Sequence, residues 1–193
     1  MQLNTNQIIF TNIEGKEISL ELILKKGPVL ISMLRHFGWI FCKEQAAQLS
    51  TIANNLSQIG IELIFVGSGN YKQAYYFKED YSPNGEIYSD MNLTIYNALG
   101  ARKSLISNIM PQVWLAGLKA SIKGFMQSKT QGDYLQQGGN VLVMKDGTIK
   151  FLHLHKYAGD HMQPDELLEK IKNISLWIML LVFRKRTCIL RII

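Results

Sequence analysis

The sequence predicts an α/β protein of three layers, a central mixed β-sheet flanked by helices, with a helical insertion in its second half. Two continuous apolar runs, Val29 to Leu34 and Ile61 to Val66, have the β-branched character of strands covered on both faces. Between them Ala46, Ala47, Leu49, Ile52, Ala53 and Leu56 recur at helical spacing, with Lys43, Glu44, Gln45 and Gln48 on the outward turns. Later, Asp146-Gly147 separates two strand-like runs and is a strong hairpin signal.

The remaining elements follow in order. Gln7 to Phe10 and Lys16 to Ser19 flank the Glu14-Gly15 turn as a hairpin, and Ser19 is placed to cap a short helix, Leu20 to Lys25, that stops at Gly27-Pro28. After the second buried strand, Gly67-Ser68-Gly69-Asn70 leads into a helix from Tyr71 to Phe77 with Asn70 as its cap. The glycines do not make a dinucleotide fingerprint, because Lys72 stands where a third glycine is needed. Glu86 to Ser89 reads as a short strand, and Asp90 starts a turn into Leu93 to Leu99, ended by Gly100. Arg102 to Met126 reads as a helical insertion with Trp114, Leu118 and Ile122 about one turn apart. The hairpin strands are Asn140 to Met144 and Thr148 to His155, and Pro164 to Lys172 forms a last helix.

At 193 residues, 47% hydrophobic and 19% charged, the chain suits one domain with a sizeable core, taken here as residues 1–173. Residues 174–193 form an atypical apolar and basic tail. The net charge of +6 is concentrated there: Arg184, Lys185, Arg186 and Arg191 meet no acid, and without them 17 bases face 15 acids. Charge therefore gives no ground for nucleic-acid binding by the body. Two cysteines fit a reducing compartment rather than a disulfide scaffold, and no signal-peptide pattern opens the chain, so a cytoplasmic protein is expected. The apolar run Ile174 to Phe183 is too short to span a bilayer, and a stripe such as that of Arg102 to Met126 usually faces a core, so membrane contact is not expected.

Chemistry concentrates between strand and helix, at Arg35-His36-Phe37-Gly38-Trp39 and Cys42-Lys43-Glu44. A helix starting near Cys42 exposes its thiol to unpaired backbone N–H groups and the positive end of the macrodipole, and both favour thiolate. Arg35 is positioned to add a fixed positive charge, with His36 as a second neighbour. The other reading is a buried, inert core cysteine.

These residues resemble the active-site segment of the peroxiredoxin-like branch of the AhpC/TSA (alkyl hydroperoxide reductase and thiol-specific antioxidant) redoxin family, usually Arg-x-x-Gly-Cys-x-x-Cys followed by Arg or Lys and then Glu. Gln137-Gly138-Gly139 and Ala158-Gly159-Asp160-His161 carry the same resemblance, which spans roughly Ile8 to Ile171. It implies a thioredoxin-like fold and thiol-dependent antioxidant oxidoreductase activity with no prosthetic group. Thioredoxins proper carry a proline before the first hairpin strand, and its absence here argues for the peroxiredoxin side. The first cysteine of the motif is replaced by Trp39, so Cys42 cannot close a Cys-x-x-Cys disulfide.

One-cysteine chemistry remains, with a peroxide or disulfide as substrate: Cys42 attacks a peroxide, Arg35 stabilises the thiolate and a peroxide oxygen, and an external small thiol or thioredoxin-type partner resolves the product. His36, Gly38, Trp39 and Glu44 support the site. The resemblance places a small hydroxyl residue where Trp39 stands, and tryptophan supplies none. A redoxin-fold binding or regulatory protein that has lost turnover is therefore the rival reading. His153, His155, His161 and Asp160 raise a metal site but lack specific spacing, and surface strand histidines are the more common case, so no metal is assigned. Cys188 is not expected to resolve Cys42, and self-association as a homodimer stays open.

Overall fold

The computed structural model describes residues 1–81, 83–101, 136–156 and 160–189, with side chains described as far as residue 176 in the last helix. The expected helical insertion from Arg102 to Met126 and the Ala158-Gly159 step lie outside those residues, as does the side chain of Cys188.

Seven strands form one mixed sheet in the order β2-β1-β5-β4-β3-β6-β7. The strands are β1 (Ile9–Asn12), β2 (Glu17–Ser19), β3 (Val29–Met33), β4 (Glu62–Gly67), β5 (Glu86–Ser89), β6 (Gly139–Val143) and β7 (Ile149–Leu154). The helices are α1 (Leu20–Leu24), α2 (Ile40–Ser50), α3 (Ala53–Gln58), α4 (Tyr71–Tyr81), α5 (Thr94–Ala98) and α6 (Pro164–Ile189). β3, β4 and β5 run parallel, as strands joined by helical crossovers must, whereas β1, β2, β6 and β7 pair antiparallel. The sheet is mixed, as the sequence predicts.

Alternation along β3 and β6 sends Val29, Ile31, Met33, Val141 and Val143 into one core with Phe10, Leu20, Ile95 and Tyr96. Leu30, Leu34 and Leu142 point to the other face, against Cys42, Ala46 and Leu49 of α2 and Leu167 and Ile171 of α6. Ser19 caps α1 by accepting the Leu22 N–H, and Asn70 and Gln73 cap α4 reciprocally through 3.0 and 2.8 Å hydrogen bonds.

Three elements depart from the pattern reading. The single helix expected from Cys42 to Leu56 starts earlier, at Ile40, and is interrupted at Thr51 and Ile52, with α3 beginning at Ala53. Its outward turn is not outward: Lys43, Glu44 and Gln45 are all buried. Local periodicity identifies the face that meets the sheet, but α4 also packs on the first turn, where Lys43 sits over the Tyr81 ring at 4.9 Å. Finally, α6 continues from Pro164 to Ile189, crossing the 173/174 boundary without a break.

Candidate active site

The site is built where β3 ends. Leu34 extends the pairing by donating its N–H to Val66 O at 2.7 Å, and the chain then turns through Arg35 to Trp39 into α2. Three side chains from neighbouring elements pin this turn. Ser68 Oγ donates to Arg35 O, Tyr96 Oη donates toward Leu34 O and Val66 O, and the Phe37 ring packs against Phe77. Gly67 is required beneath it, because a Cβ there would lie 2.6 Å from the Phe37 ring.

Trp39 is the N-cap of α2 in extended conformation and makes no side-chain cap, which puts Cys42 at the third helical position. The Cys42 sulfur turns back over the loop and accepts the Arg35 backbone N–H at 3.2 Å, with a second backbone hydrogen bond from His36. Arg35 is buried with its guanidinium carbon 3.9 Å from the centre of the Trp39 ring. His36 stacks nearly parallel to Trp39 at 5.9 Å, and Phe41 meets that ring edge-on at 5.3 Å. The residue in the first cysteine's place is thus the middle of a cation and aromatic stack beside the thiol. Gly38 is buried in the same turn, and Glu44 is buried and accepts a 3.2 Å hydrogen bond from Gln48 Nε2.

The electrostatics differ from the sequence expectation. Only 2% of Cys42 is exposed, and burial pushes its thiol up to about 11. The backbone N–H groups of His36 and Arg35 and the charges of Arg35 and Lys43 pull in the other direction without prevailing. A helix start does favour thiolate, but removing an anion from water costs more than one helical turn returns. His36 adds no charge, since burial first, then Arg35 and Lys43, lower it to about 4 and leave the imidazole neutral at pH 7.

A polar strip crosses the sheet on the same face. Gln45, one turn after Cys42, donates from Nε2 to Ser32 Oγ at 3.0 Å; Ser32 lies opposite Asn140, and Asn140 opposite His153. His155 follows on the same face, its ring 5.7 Å from that of His153. His155 is buried, correcting the expectation of a surface strand histidine, and burial first, then His161, His153 and Arg35, lower it to about 3. Sequence reasoning missed Asn140 and Ser32, although Ser32 is a polar residue inside a run read as a buried strand and Asn140 opens the first hairpin strand. At Gly138, just before β6, a Cβ would run into the Met33 carbonyl, so glycine lets this loop close on the end of β3.

Among the described residues, no group of three or more His, Cys, Asp or Glu side chains is arranged to hold a metal ion. An open groove of about 460 Å³ lies at the amino ends of β4 and β5, lined by Lys26, Asn54, Glu62, Lys78 and Glu86. Cys42 is not among the residues that line it.

A cysteine in the first turn of the helix after a central parallel strand, on a mixed sheet closed by a hairpin and a final helix, defines a thioredoxin-like redoxin. More particularly, the chain belongs to the AhpC/TSA antioxidant enzyme family, whose model matches residues 48–157. The match begins after Cys42, so it carries the family through the body of the fold. Among curated relatives, the chain is 30% identical to the prostamide/prostaglandin F synthase of Pongo abelii, over 81% of each chain. It is 26% identical to peroxiredoxin-like 2C of Bos taurus, over 81% of this chain and 73% of that one. Among solved structures, the peroxidoxin BcpB of Mycobacterium tuberculosis superposes with a TM-score of 0.64 at 13% identity, covering 86% of this chain and 92% of that one. That likeness supports the fold alone.

Proposed function

We propose that the protein is a one-cysteine, thiol-dependent oxidoreductase that reduces peroxides through Cys42, with an external thiol or thioredoxin-type protein as reductant. The observation that carries this reading is the sulfur's setting: two backbone N–H groups and the Arg35 and Lys43 charges converge on Cys42, and all four favour the anion over the thiol. Burial alone opposes them. Entry of substrate and water at the sulfur relieves that opposition while leaving the backbone donors in place. The thiolate then attacks one peroxide oxygen. An S–O bond forms, the O–O bond breaks, sulfur loses two electrons, and the departing oxygen takes a proton to leave as water or an alcohol. An external thiol resolves the sulfenic acid to a mixed disulfide, and a second thiol releases Cys42.

The prostamide/prostaglandin F synthase relatives widen the candidate substrates to the compounds those enzymes are named for. The second reading, a redoxin-fold binding protein without turnover, is favoured by the same burial that holds the Cys42 thiol up to about 11. Mass spectrometry of the Cys188→Ser protein after one equivalent of hydrogen peroxide, with a sulfenic-acid trap, separates the two. Trapped adduct at Cys42, absent in Cys42→Ser, is the expected result. An unmodified Cys42 under conditions that oxidise a free thiol contradicts the enzymatic reading.

A further inference from the structure

The polar strip runs from Ser32 across β6 to the edge strand β7, and the Gln45 to Ser32 hydrogen bond accounts only for its inner end. Asn140 is completely buried, yet neither its amide nitrogen nor its amide oxygen has a hydrogen-bond partner among the described residues. The same is true of His153 Nδ1 and His155 Nε2. Buried polar groups are normally paired, so a lone orphan invites a local explanation. Four orphaned atoms on two adjacent strands, all on one face, describe a set of contacts waiting for a partner.

The chemistry of the set selects the partner. Asn140 offers one donor group and one acceptor, and a neutral imidazole offers a donor at one ring nitrogen and an acceptor at the other. Burial and the neighbouring charges keep His155 in that neutral form. A set of side chains that presents donors and acceptors together, without a carboxylate of its own, fits a small uncharged hydroxylic molecule. Position connects it to the reaction: Gln45 joins the strip to the helix that carries Cys42, and the Arg35 charge acts on both the Cys42 thiol and the His155 ring.

We infer that Asn140, His153 and His155 form a substrate subsite for hydrogen peroxide, holding its hydroxyl groups on the sheet side of Cys42 and favouring it over bulky organic hydroperoxides. This inference rests on the peroxidase reading of Cys42. Water shares the O–H chemistry of the substrate; the two are distinguished by whether the strip matters for one oxidant in particular.

The test compares three reagents on the full-length Cys188→Ser protein: hydrogen peroxide, cumene hydroperoxide and iodoacetamide, each followed as the second-order rate of Cys42 modification. Asn140→Leu, which keeps the side-chain size, is expected to slow hydrogen peroxide at least tenfold while iodoacetamide stays within twofold. The preference for hydrogen peroxide over cumene hydroperoxide then falls. His155→Phe serves as the second variant if Asn140→Leu does not fold, with the same pattern expected. Equal slowing of all three reagents, or an unchanged hydrogen peroxide rate, overturns the subsite and leaves the peroxidase reading standing. A parent protein that reacts with iodoacetamide but with neither peroxide overturns both.

Discussion

The two faces of β3 and β6 hold two kinds of interior. On one, Val29, Ile31, Met33, Val141 and Val143 pack against Leu20, Ile95 and Tyr96 with no polar side chain on either strand. One residue further along each strand, the other face inserts Ser32 and Asn140 among Leu30, Leu34 and Leu142, beneath the helix that carries Cys42. The strands, their pairing and their burial are the same. Since period-2 alternation alone separates the faces, the polar strip is a property of the side facing the thiol rather than of the sheet.

The largest expected effect breaks that comparison by moving a polar group across. Val141→Asn places an amide against Ile31 in the apolar core, with no donor or acceptor supplied, and should cost about 3 kcal/mol in denaturant unfolding. Asn140→Leu, one residue away, should stay within about 1 kcal/mol of the parent, because an apolar group of similar shape replaces an unpartnered amide. Equal costs at both positions would mean that the faces do not differ.

Acid sharpens the comparison next, because both lowered histidines belong to the active-site side. His155 takes its proton near pH 3 in the folded protein against about 6.5 unfolded, and His36 near 4 against about 6.5. Below 6.5 the unfolded chain binds protons that the native state refuses. Stability from these groups is therefore complete above pH 6.5 and is lost as pH falls through 6.5 toward 3, with about 2 kcal/mol gone per histidine by pH 5. His155→Phe should remove roughly half of that slope in unfolding midpoints measured from pH 7 to 5.

Smaller effects follow from the groups that hold the turn. Tyr96→Phe removes the hydroxyl that meets Leu34 O and Val66 O, and should cost about 1–2 kcal/mol in unfolding. Trp39→Leu removes the ring over Arg35 and should cost about 1 kcal/mol while speeding Cys42 alkylation, because the stack beside the thiol is opened. A slower alkylation would mean that Trp39 positions the thiol and does not shield it.

Much of this arrangement was legible in the sequence, for identifiable reasons. Buried strands announce themselves by β-branched runs, and Ser19, Asn70 and Asp146-Gly147 announce caps and turns, because those signals act within a few residues. The grouping of Arg35, His36 and Trp39 with Cys42 was legible for the same reason. What escaped depends on contacts distant in sequence. Lys43, Glu44 and Gln45 read as solvent-facing until α4 and the polar strip are packed around the first turn of α2. The sign of the Cys42 shift escaped with them, since a helix start can be read locally but burial cannot. Asn140 carried a usable signal, a polar residue opening an otherwise apolar hairpin strand, whose meaning required its partners across β3 and β7.

The most direct test of the account is the rate of Cys42 alkylation by iodoacetamide in the Cys188→Ser protein, followed from pH 6 to pH 10. With the thiol pushed up to about 11, the rate is predicted to keep rising close to tenfold per pH unit through pH 10. A plateau reached by pH 8 would contradict it, placing Cys42 among the activated thiolates at rest and making the Arg35 and backbone contacts, rather than burial, the dominant influence on the sulfur.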